Sequence, residues 1–432
     1  MLTEEEKKQN KVKKRNRILE SISIGSFLAY RQVKRSSWAT TVLIIFVMTL
    51  TFLNLVVVSG ILVGLIEGAV TAVKESYISD VSVTVLKSKK EIENSPQILK
   101  TIRELHWVEG VTARYLSSGK IEANYKTKIK QTDDTDEVGT IIAGINLEDE
   151  DKVTNLSRFL VEGEFLDNND YDQVVVGSML LRKYFPVESE GFVTLSDVEI
   201  GDKVRITIGE NIREVTIKGI VKTKVDEISR RVFMLDSQFR VLADRNDYNV
   251  NEMAIKVKSG VAPELVRDAI KMTGADKYGK IQTFDEAKPK FLTDLIDTFA
   301  LLGNVVGSIG LVVASITIFI VIYINAITRR KFIGILKGIG IESSAIKTAY
   351  VMQAIFYAFI GTALGCFLLF AFLKPYFDAN PIDFPFSDGI LSVTISGVLV
   401  RVGLLMIATI IAGYIPAQIV VKQNTLDAIL GR

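Results

Sequence analysis

Cysteine and histidine are almost absent from the 432-residue chain, which contains one of each, Cys366 and His106. A single cysteine excludes an internal disulfide framework. A single histidine excludes a His-rich metal site and the H-E-x-x-H metalloprotease motif. The G-x-S-x-G nucleophile motif is also missing, and the carboxylates follow no catalytic pattern. We therefore expect no enzyme activity and no catalytic, cofactor-binding or metal-binding residue in this chain.

One segment approaches the phosphate-binding P-loop without completing it. Gly274, Gly279 and Lys280 have the spacing of that motif, but Ile281 stands where Ser or Thr must hold Mg²⁺. The segment also follows a helical pattern, whereas a P-loop follows a strand. We therefore predict a turn after a helix, and no ATP binding.

Acidic residues are missing from four long apolar stretches. The chain is 48% hydrophobic and 24% charged, a balance that favours membrane spans joined to a soluble domain. Each stretch has the roughly 20 residues that cross about 30 Å of hydrocarbon. The predicted spans are residues 38–66, 299–324, 349–373 and 391–415.

Lysine and arginine are concentrated on one side of these spans. Residues 1–37 and 325–348 are rich in both, whereas the loop of residues 374–390 has three aspartates and one lysine. Because cytoplasmic loops carry the excess of Lys and Arg, we predict that residues 1–37, 325–348 and 416–432 are cytoplasmic. Residues 67–298 and the short loop 374–390 then lie outside a multi-pass protein of the cell (inner) membrane.

Residues 67–298 have a different character from the spans. They contain runs of β-branched residues, many of which alternate apolar with charged positions, as expected of strands with one solvated face. We predict strands at 81–85, 121–128, 138–145, 173–177, 203–208, 215–221, 231–235 and 253–257, and helices at 96–105, 178–185 and 263–272. The predicted fold class is therefore membrane α-helical, with four transmembrane helices in a one-plus-three arrangement. A large extracytoplasmic α+β domain, in two lobes, lies between the first and the second.

A short amphipathic helix is predicted in the basic segment 325–348. It would place Phe332, Ile335, Leu336 and Ile339 on one apolar face and end at Gly340. From the residues alone, this helix either docks on a partner or simply lies at the membrane surface as a basic segment.

Four polar or small residues within the spans are also noteworthy. Asn54 is predicted to make a helix–helix hydrogen bond. Arg401 either reaches the outer headgroups, if its helix begins near Thr394, or has an intramembrane polar role. Gly60 and Gly64 have small-xxx-small spacing, which fits either a contact between two copies of the first span or ordinary glycine usage.

The segment Lys331-Phe-Ile-Gly-Ile-Leu-Lys-Gly-Ile-Gly-Ile341 resembles the cytoplasmic coupling segment of MacB/FtsX-type ABC transporter permeases, which include the lipoprotein-releasing LolC/LolE group. Phe332 replaces the usual glutamate and Gly338 the usual alanine, so a family salt bridge at that glutamate is not expected here. Further short motifs recur in the family's order, at residues 27–35, 59–65, 144–146, 160–163, 174–177, 200–204, 215–220 and 416–430.

The resemblance implies a non-catalytic permease that works as a homodimer or heterodimer in membrane lipid, without nucleic acid. ATP and Mg²⁺ would bind a separate cytoplasmic ABC ATPase subunit. Movement of the external domain would then extract or export an amphiphilic substrate such as a lipoprotein, a peptide or a drug. The alternative is an FtsX-type regulator that signals to a cell-wall hydrolase without transport. The implied contacts with the ATPase are Lys331, Phe332, Ile333, Gly334, Ile335, Leu336, Lys337, Ile339 and Gly340.

Overall fold

The structure is a computed structural model that describes residues 20–126, 136–186, 193–380, 382–389 and 391–422. The chain divides into two compact units. The membrane unit comprises Met1–Ile66, Leu295–Asp383 and Asp388–Arg432. The sheet unit comprises Glu67–Asp294 and Phe384–Ser387.

Four helices are long and apolar enough to cross a membrane, which confirms the predicted one-plus-three arrangement. They are α2 (Trp38–Val73), α9 (Lys290–Thr328), α11 (Ser343–Leu368) and α13 (Ile395–Val421). Three shorter helices accompany them: α1 (20–34), α10 (Arg330–Gly338) and α12 (Lys374–Ala379). The helices are longer than the predicted spans at most of their ends, because helical hydrogen bonding continues into the polar residues that flank the apolar runs.

Close contact between α2 and α11 holds the core of the membrane unit together. A Cβ added at Gly361 would lie 2.6 Å from the Cβ of Met48, so glycine is needed for this approach. The hydroxyl of Thr49 donates to the carbonyl of Gly361 at 3.1 Å. Small residues and hydroxyl hydrogen bonds of this kind drive helix association where lipid removes the hydrophobic driving force.

The sheet unit contains ten paired strands among the described residues. They are β1 (Val81–Val85), β2 (Val108–Glu122), β3 (Glu137–Ile145), β4 (Leu160–Gly163), β5 (Gln173–Gly177), β6 (Lys203–Ile208), β7 (Asn211–Val221), β8 (Arg231–Leu235), β9 (Glu252–Val257) and β10 (Gly279–Thr283). Its helices are α3 (Ser95–Glu104), α4 (Leu147–Thr154), α5 (Asp226–Ser229), α6 (Asp236–Leu242), α7 (Pro263–Met272) and α8 (Phe284–Ala287).

Strand β2 belongs to two groups of strands, which corresponds to the two predicted lobes. Its first half pairs with β9, which continues the sheet through β1 to β10. Its second half pairs with β3 and β6, and the pairings β3–β8–β5–β7–β6 close a ring of six strands. A closed ring protects strand edges that would otherwise offer unpaired backbone groups. The predicted α+β class is confirmed.

Two local predictions in this unit are wrong, and a third is confirmed. The strand predicted at 121–128 is instead the end of the long strand β2, and residues 127–128 lie outside the described residues. The helix predicted at 178–185 is only a 3₁₀ turn, Ser178–Leu180. In both cases the pairing of distant strands overrides the local pattern. The turn predicted after a helix at Gly274 is confirmed, and β10 follows it.

Candidate functional site

Helix α10 presents one apolar side to the membrane unit and another to solvent. Ile333 and Leu336 are 1% and 7% exposed and belong to the core of the membrane unit. Phe332, Ile335 and Ile339 are 47%, 50% and 71% exposed. We call these three residues the apolar ridge. The helix is thus anchored on one side and has exposed apolar surface on the other.

The predicted apolar face is divided by packing within the chain. Leu336 lies about 40° from Phe332 around the helix, yet Leu336 is buried whereas Phe332 and Ile335 are exposed. The side that carries Ile333 and Leu336 is buried within the chain, and the structure gives these two residues a packing role. Ile339 lies just after the helix, at its C-cap.

The predicted stop at Gly340 is confirmed, and its geometry is that of a Schellman motif. Gly340 has φ +93°. The amide of Ile341 donates to the carbonyl of Leu336 at 3.0 Å, and that of Gly340 to Lys337 at 3.1 Å. The Lys337 ammonium donates to the carbonyl of Val421 at the end of α13. These contacts fix α10 against the membrane unit at its C-terminal end.

A close approach at Gly60 occurs within the chain, and the dimer contact predicted there stays a prediction. A Cβ at Gly60 would lie 2.8 Å from Cδ1 of Leu391 and 3.0 Å from Cγ2 of Val393. The amide of Ser392 also donates to the Gly60 carbonyl at 3.1 Å. Gly64 is buried too, so this pair of glycines packs inside one copy.

Asn54 and Arg401 differ in their hydrogen bonding within the chain. Asn54 is exposed on α2 and its side chain makes no hydrogen bond within the described residues, so the predicted helix–helix bond is not made inside one copy. Helix α13 begins after the N-cap Thr394, as the snorkelling interpretation of Arg401 requires. The Arg401 guanidinium turns back toward that end and donates to the Gly397 carbonyl at 3.2 Å.

Sequence analysis missed a buried network of four charged residues in the sheet unit. Arg114 lies on β2 at the position where pairing with Glu252 of β9 ends and pairing with β3 begins. Its guanidinium donates to both carboxylate oxygens of Glu150, at 2.8 and 2.6 Å, and to Glu252 at 2.9 Å. Arg231, at the start of β8, donates to the same oxygen of Glu252 at 3.0 Å. All four residues are buried.

The network keeps both of its carboxylates ionised. Burial alone would raise the pKa of Glu252, but the guanidiniums of Arg231 and Arg114 hold this pKa at about 2. Burial likewise opposes ionisation of Glu150, and Arg114 with two threonine hydroxyls brings its pKa below the usual value. Two positive and two negative charges balance, so the cluster is neutral in total.

The network lies beside the segment that follows the first span. The Arg114 guanidinium donates to the Tyr77 carbonyl at 3.1 Å, and Arg231 donates to the Tyr77 hydroxyl at 3.3 Å. Tyr77 and Pro289, which directly precedes α9, both line a cavity of about 330 Å³ that also reaches Arg114. No sequence pattern indicates this cluster, because its members come from five separate segments.

The segment that approaches a P-loop has no phosphate-binding geometry. Gly279 is the first residue of β10, and a Cβ there would lie 2.6 Å from Cγ1 of Val83. Lys280 lies on β10, the strand at the edge of the sheet, and pairs with Thr84 of β1. The second glycine therefore allows two strands to approach each other and does not cradle a phosphate.

Comparison with known proteins gives a match for both parts of the chain. Residues 48–273 match the model of the MacB-like periplasmic core domain, and residues 304–425 match that of the FtsX-like permease C-terminal domain. The uncharacterized ABC transporter permease MJ1507 of Methanocaldococcus jannaschii is 24% identical over 62% of this chain and 65% of its own length. The macrolide export ATP-binding/permease protein MacB of Pasteurella multocida is 24% identical over 47% of this chain and 31% of its own length.

The chain thus spans less than two thirds of the length of these relatives. Among solved structures, the periplasmic region of MacB from Actinobacillus actinomycetemcomitans is 16% identical over 49% of this chain and 92% of that chain, with a TM-score of 0.35. The core-domain match alone covers more than half of the chain. The chain therefore belongs to this family, as an ABC transporter permease of the MacB/FtsX type with a large extracytoplasmic α+β domain between its first and second spans.

Proposed function

We propose that this permease couples ATP hydrolysis on a separate ATPase subunit to movement of its extracytoplasmic domain. The apolar ridge of α10, formed by Phe332, Ile335 and Ile339, is the observation that carries the proposal. An exposed apolar ridge on a helix whose opposite side is anchored in the membrane unit fits a helix-in-groove contact with a partner.

The energetics of such a contact are favourable. Full burial of a side chain the size of Ile or Phe is worth roughly 1.5–3 kcal/mol. Only part of this survives as affinity, because association costs translational freedom and side-chain ordering. One charged side chain, Lys331, is exposed beside the ridge. The whole segment of residues 331–340, including the buried Ile333, Gly334 and Leu336, would move as one body with the spans.

The buried charge network supports the second step of the proposed coupling, in which movement of the spans reaches the extracytoplasmic domain. Tyr77, directly after the first span, is held by two guanidiniums that also hold strands β2, β8 and β9. A displacement of the segment at Tyr77 would therefore be transmitted to three strands at once. Such transmission requires a rigid connection, which buried charge-assisted hydrogen bonds among the four side chains of the network supply.

The first test concerns ATP turnover. We expect the purified chain alone to show no ATP hydrolysis, since its P-loop-like segment lies in a β-sheet and lacks the Mg²⁺ ligand. A Lys280→Ala variant should behave identically. Addition of the cognate ATPase should give turnover that depends on both subunits. Hydrolysis by the chain alone, abolished by Lys280→Ala, would contradict the assignment.

A second test concerns topology. Residues Phe384–Ser387, between the third and fourth spans, belong to the same compact unit as Glu67–Asp294, which supports the prediction that both lie outside. In a background with Cys366 replaced by Ala, Glu210→Cys should react with an impermeant thiol reagent on cells with a permeabilised outer envelope. Glu342→Cys should react only after the inner membrane is opened. The reverse labelling pattern would invert the topology.

Dimer formation is proposed through the exposed face of α2. Leu43, Phe46, Leu50 and Asn54 follow one another at helical spacing, and all four are exposed. An amide exposed in the middle of a span gains most by bonding to a second amide across a helix pair. We expect Asn54→Cys to form a disulfide-linked dimer in membranes and Val63→Cys, off this face, to form little. Equal cross-linking of both would argue against this face.

An amphiphilic substrate, such as a lipoprotein, peptide or drug, fits the resemblance to the LolC/LolE group and the two relatives named macrolide exporters. The alternative remains an FtsX-type regulator. Reconstitution with the ATPase separates the two. ATP-dependent loss of a macrolide or lipoprotein from proteoliposomes supports transport, whereas ATP-dependent activation of a cell-wall hydrolase without substrate movement supports regulation.

A further inference from the structure

A groove of about 390 Å³ lies between helix α1 and the start of α10 in the membrane unit. Three arginines line it, Arg31, Arg35 and Arg329. Among the described residues no carboxylate is within salt-bridge distance of any of them. Three arginines directed to one groove without a counter-charge strongly favour an anionic occupant.

A buried amide adds a second, independent feature of the groove. Gln32 also lines it and is 5% exposed, and its Oε1 has no hydrogen-bond partner among the described residues. A buried acceptor without a partner is costly unless a donor reaches it. The occupant should therefore offer a hydroxyl or similar donor close to its negative charge.

Two aromatic side chains form the apolar walls. Phe27 and Phe332 both line the groove and are 58% and 47% exposed. The Arg31 guanidinium lies over the Phe27 ring at 5.1 Å, which orients it toward the groove. The occupant thus meets charge and apolar surface together, as an amphiphile does.

The groove lies at the end of the membrane unit where a bilayer surface is expected. Arg35 lies three residues before α2, and Arg329 directly follows α9, so both mark the same end of two oppositely running spans. Trp38 is 80% exposed at the first turn of α2, a position typical of residues at the membrane interface.

Helix α1 itself has the form of an interfacial helix. A Cβ at Gly25 would lie 2.8 Å from Thr348, and the hydroxyls of Ser21 and Ser344 are hydrogen-bonded at 2.9 Å. Other sides of the helix expose Ile22 and Tyr30. A helix fixed on one side and apolar on the other lies in the headgroup region.

We propose that this groove binds the headgroup of an anionic phospholipid of the phosphatidylglycerol type. The phosphate is held by the guanidinium forks of Arg31, Arg35 and Arg329, a headgroup hydroxyl donates to Gln32, and the glycerol and upper acyl chain contact Phe27 and Phe332. Because Phe332 also belongs to the apolar ridge, a bound lipid steadies the helix that is proposed to contact the ATPase. The lipid site needs only a membrane at this end of the spans and is independent of transport.

The test compares two variants that each remove one charge from α1 and one from the 329–331 segment. Arg31→Gln/Arg329→Gln alters the groove, whereas Lys34→Gln/Lys331→Gln alters exposed neighbours that do not line it. The full chain is reconstituted in nanodiscs of phosphatidylcholine with phosphatidylglycerol, transferred to detergent, and the retained lipids are counted by native mass spectrometry.

The wild-type chain should retain phosphatidylglycerol in preference to phosphatidylcholine. In the groove variant, the ratio of retained phosphatidylglycerol to retained phosphatidylcholine should fall about tenfold. In the control variant, this ratio should stay close to the wild-type value. An Arg31→Lys/Arg329→Lys variant keeps the charge without the planar fork, so it should lose preference to a smaller degree. If the glutamine variant does not purify as a monodisperse protein, lipid retention by the lysine variant is compared with that of the control variant instead.

Three results would overturn the proposal. Equal losses in the groove and control variants would indicate general surface charge. Displacement of the lipid from the wild-type chain by inorganic phosphate would indicate a site for the free anion. Unchanged lipid retention in the groove variant, together with lost capture of the ATPase, would assign the groove to that protein.

Discussion

Substitution of Ile335 by Asp is expected to abolish ATP-dependent function while the chain still inserts in the membrane. Ile335 is half exposed in the middle of the apolar ridge and belongs to no buried cluster of the membrane unit. A carboxylate there would be placed in the proposed contact without a partner. Removing a central interface side chain costs about 2 kcal/mol or more, which corresponds to roughly 30-fold weaker binding.

The measurement is co-purification of the permease with its ATPase, alongside ATP turnover of the reconstituted pair. Ile335→Leu keeps the apolar surface and should retain both. Leu336→Asp, one residue on, places its charge in the core of the membrane unit and should instead lower the yield of folded protein. If Ile335→Asp recruits the ATPase and supports function normally, α10 is only a basic helix at the membrane surface.

Substitution of Glu252 by Gln is expected to destabilise the extracytoplasmic domain by about 3–5 kcal/mol. Glu252 accepts hydrogen bonds from both Arg114 and Arg231, and its loss leaves the buried cluster with an excess positive charge. Breaking a buried ion pair by removing one partner typically has a cost of this size. The free energy of unfolding can be measured by urea denaturation of residues 67–294, followed by Trp107 fluorescence, once that segment is shown to be folded.

Glu137→Gln is the matched control for this prediction. Glu137 makes an exposed salt bridge to Lys120 on the same sheet, and exposed pairs of this kind are worth about 0–1 kcal/mol. A similar loss of stability in both variants would show that the buried network contributes no more to stability than an exposed salt bridge.

The network also predicts how stability depends on pH. The pKa of Glu252 is lowered in the folded state to about 2, against roughly 4.3 in an unfolded chain. A lowered pKa stabilises the folded state fully above the unfolded value, and that contribution is lost as pH falls toward the folded value. Wild-type stability should therefore decrease between about pH 4.5 and pH 2. Glu252→Gln should show a shallower decrease, and an identical pH slope would contradict the assignment.

Many features of the fold could be predicted from the sequence because they depend on local composition. A run of apolar residues long enough to cross the bilayer is a property of that run alone, and all four spans were located in this way. The strands at Val81–Val85, Gln173–Gly177, Lys203–Ile208 and Arg231–Leu235 were located to the residue, because β-branched residues bounded by polar ones give a clear signal. The stop at Gly340 followed from its requirement for positive φ.

Tertiary structure alone decided which sides of these elements are buried and which are exposed. A helical pattern groups Ile335 with Leu336, yet the membrane unit buries Leu336 and leaves Ile335 exposed, because the position of neighbouring helices selects the buried side. Gly60 shows the same limit. The residues that pack against it, Leu391 and Val393, lie in the loop before the fourth span, more than 300 residues away along the chain.

The buried charges show this limit most clearly. Tyr77, Arg114, Glu150, Arg231 and Glu252 are spread over some 175 residues, and each one read singly is an ordinary polar residue of a strand, helix or connection. Only the pairing of β2 with β9 and β3 brings them together, and burial then makes their mutual contacts obligatory.

The sequence by itself determined the membrane topology pattern and the class of the domain, because these depend on local apolar content and charge. Contacts between distant segments required the folded chain, because they depend on which strands and helices become neighbours.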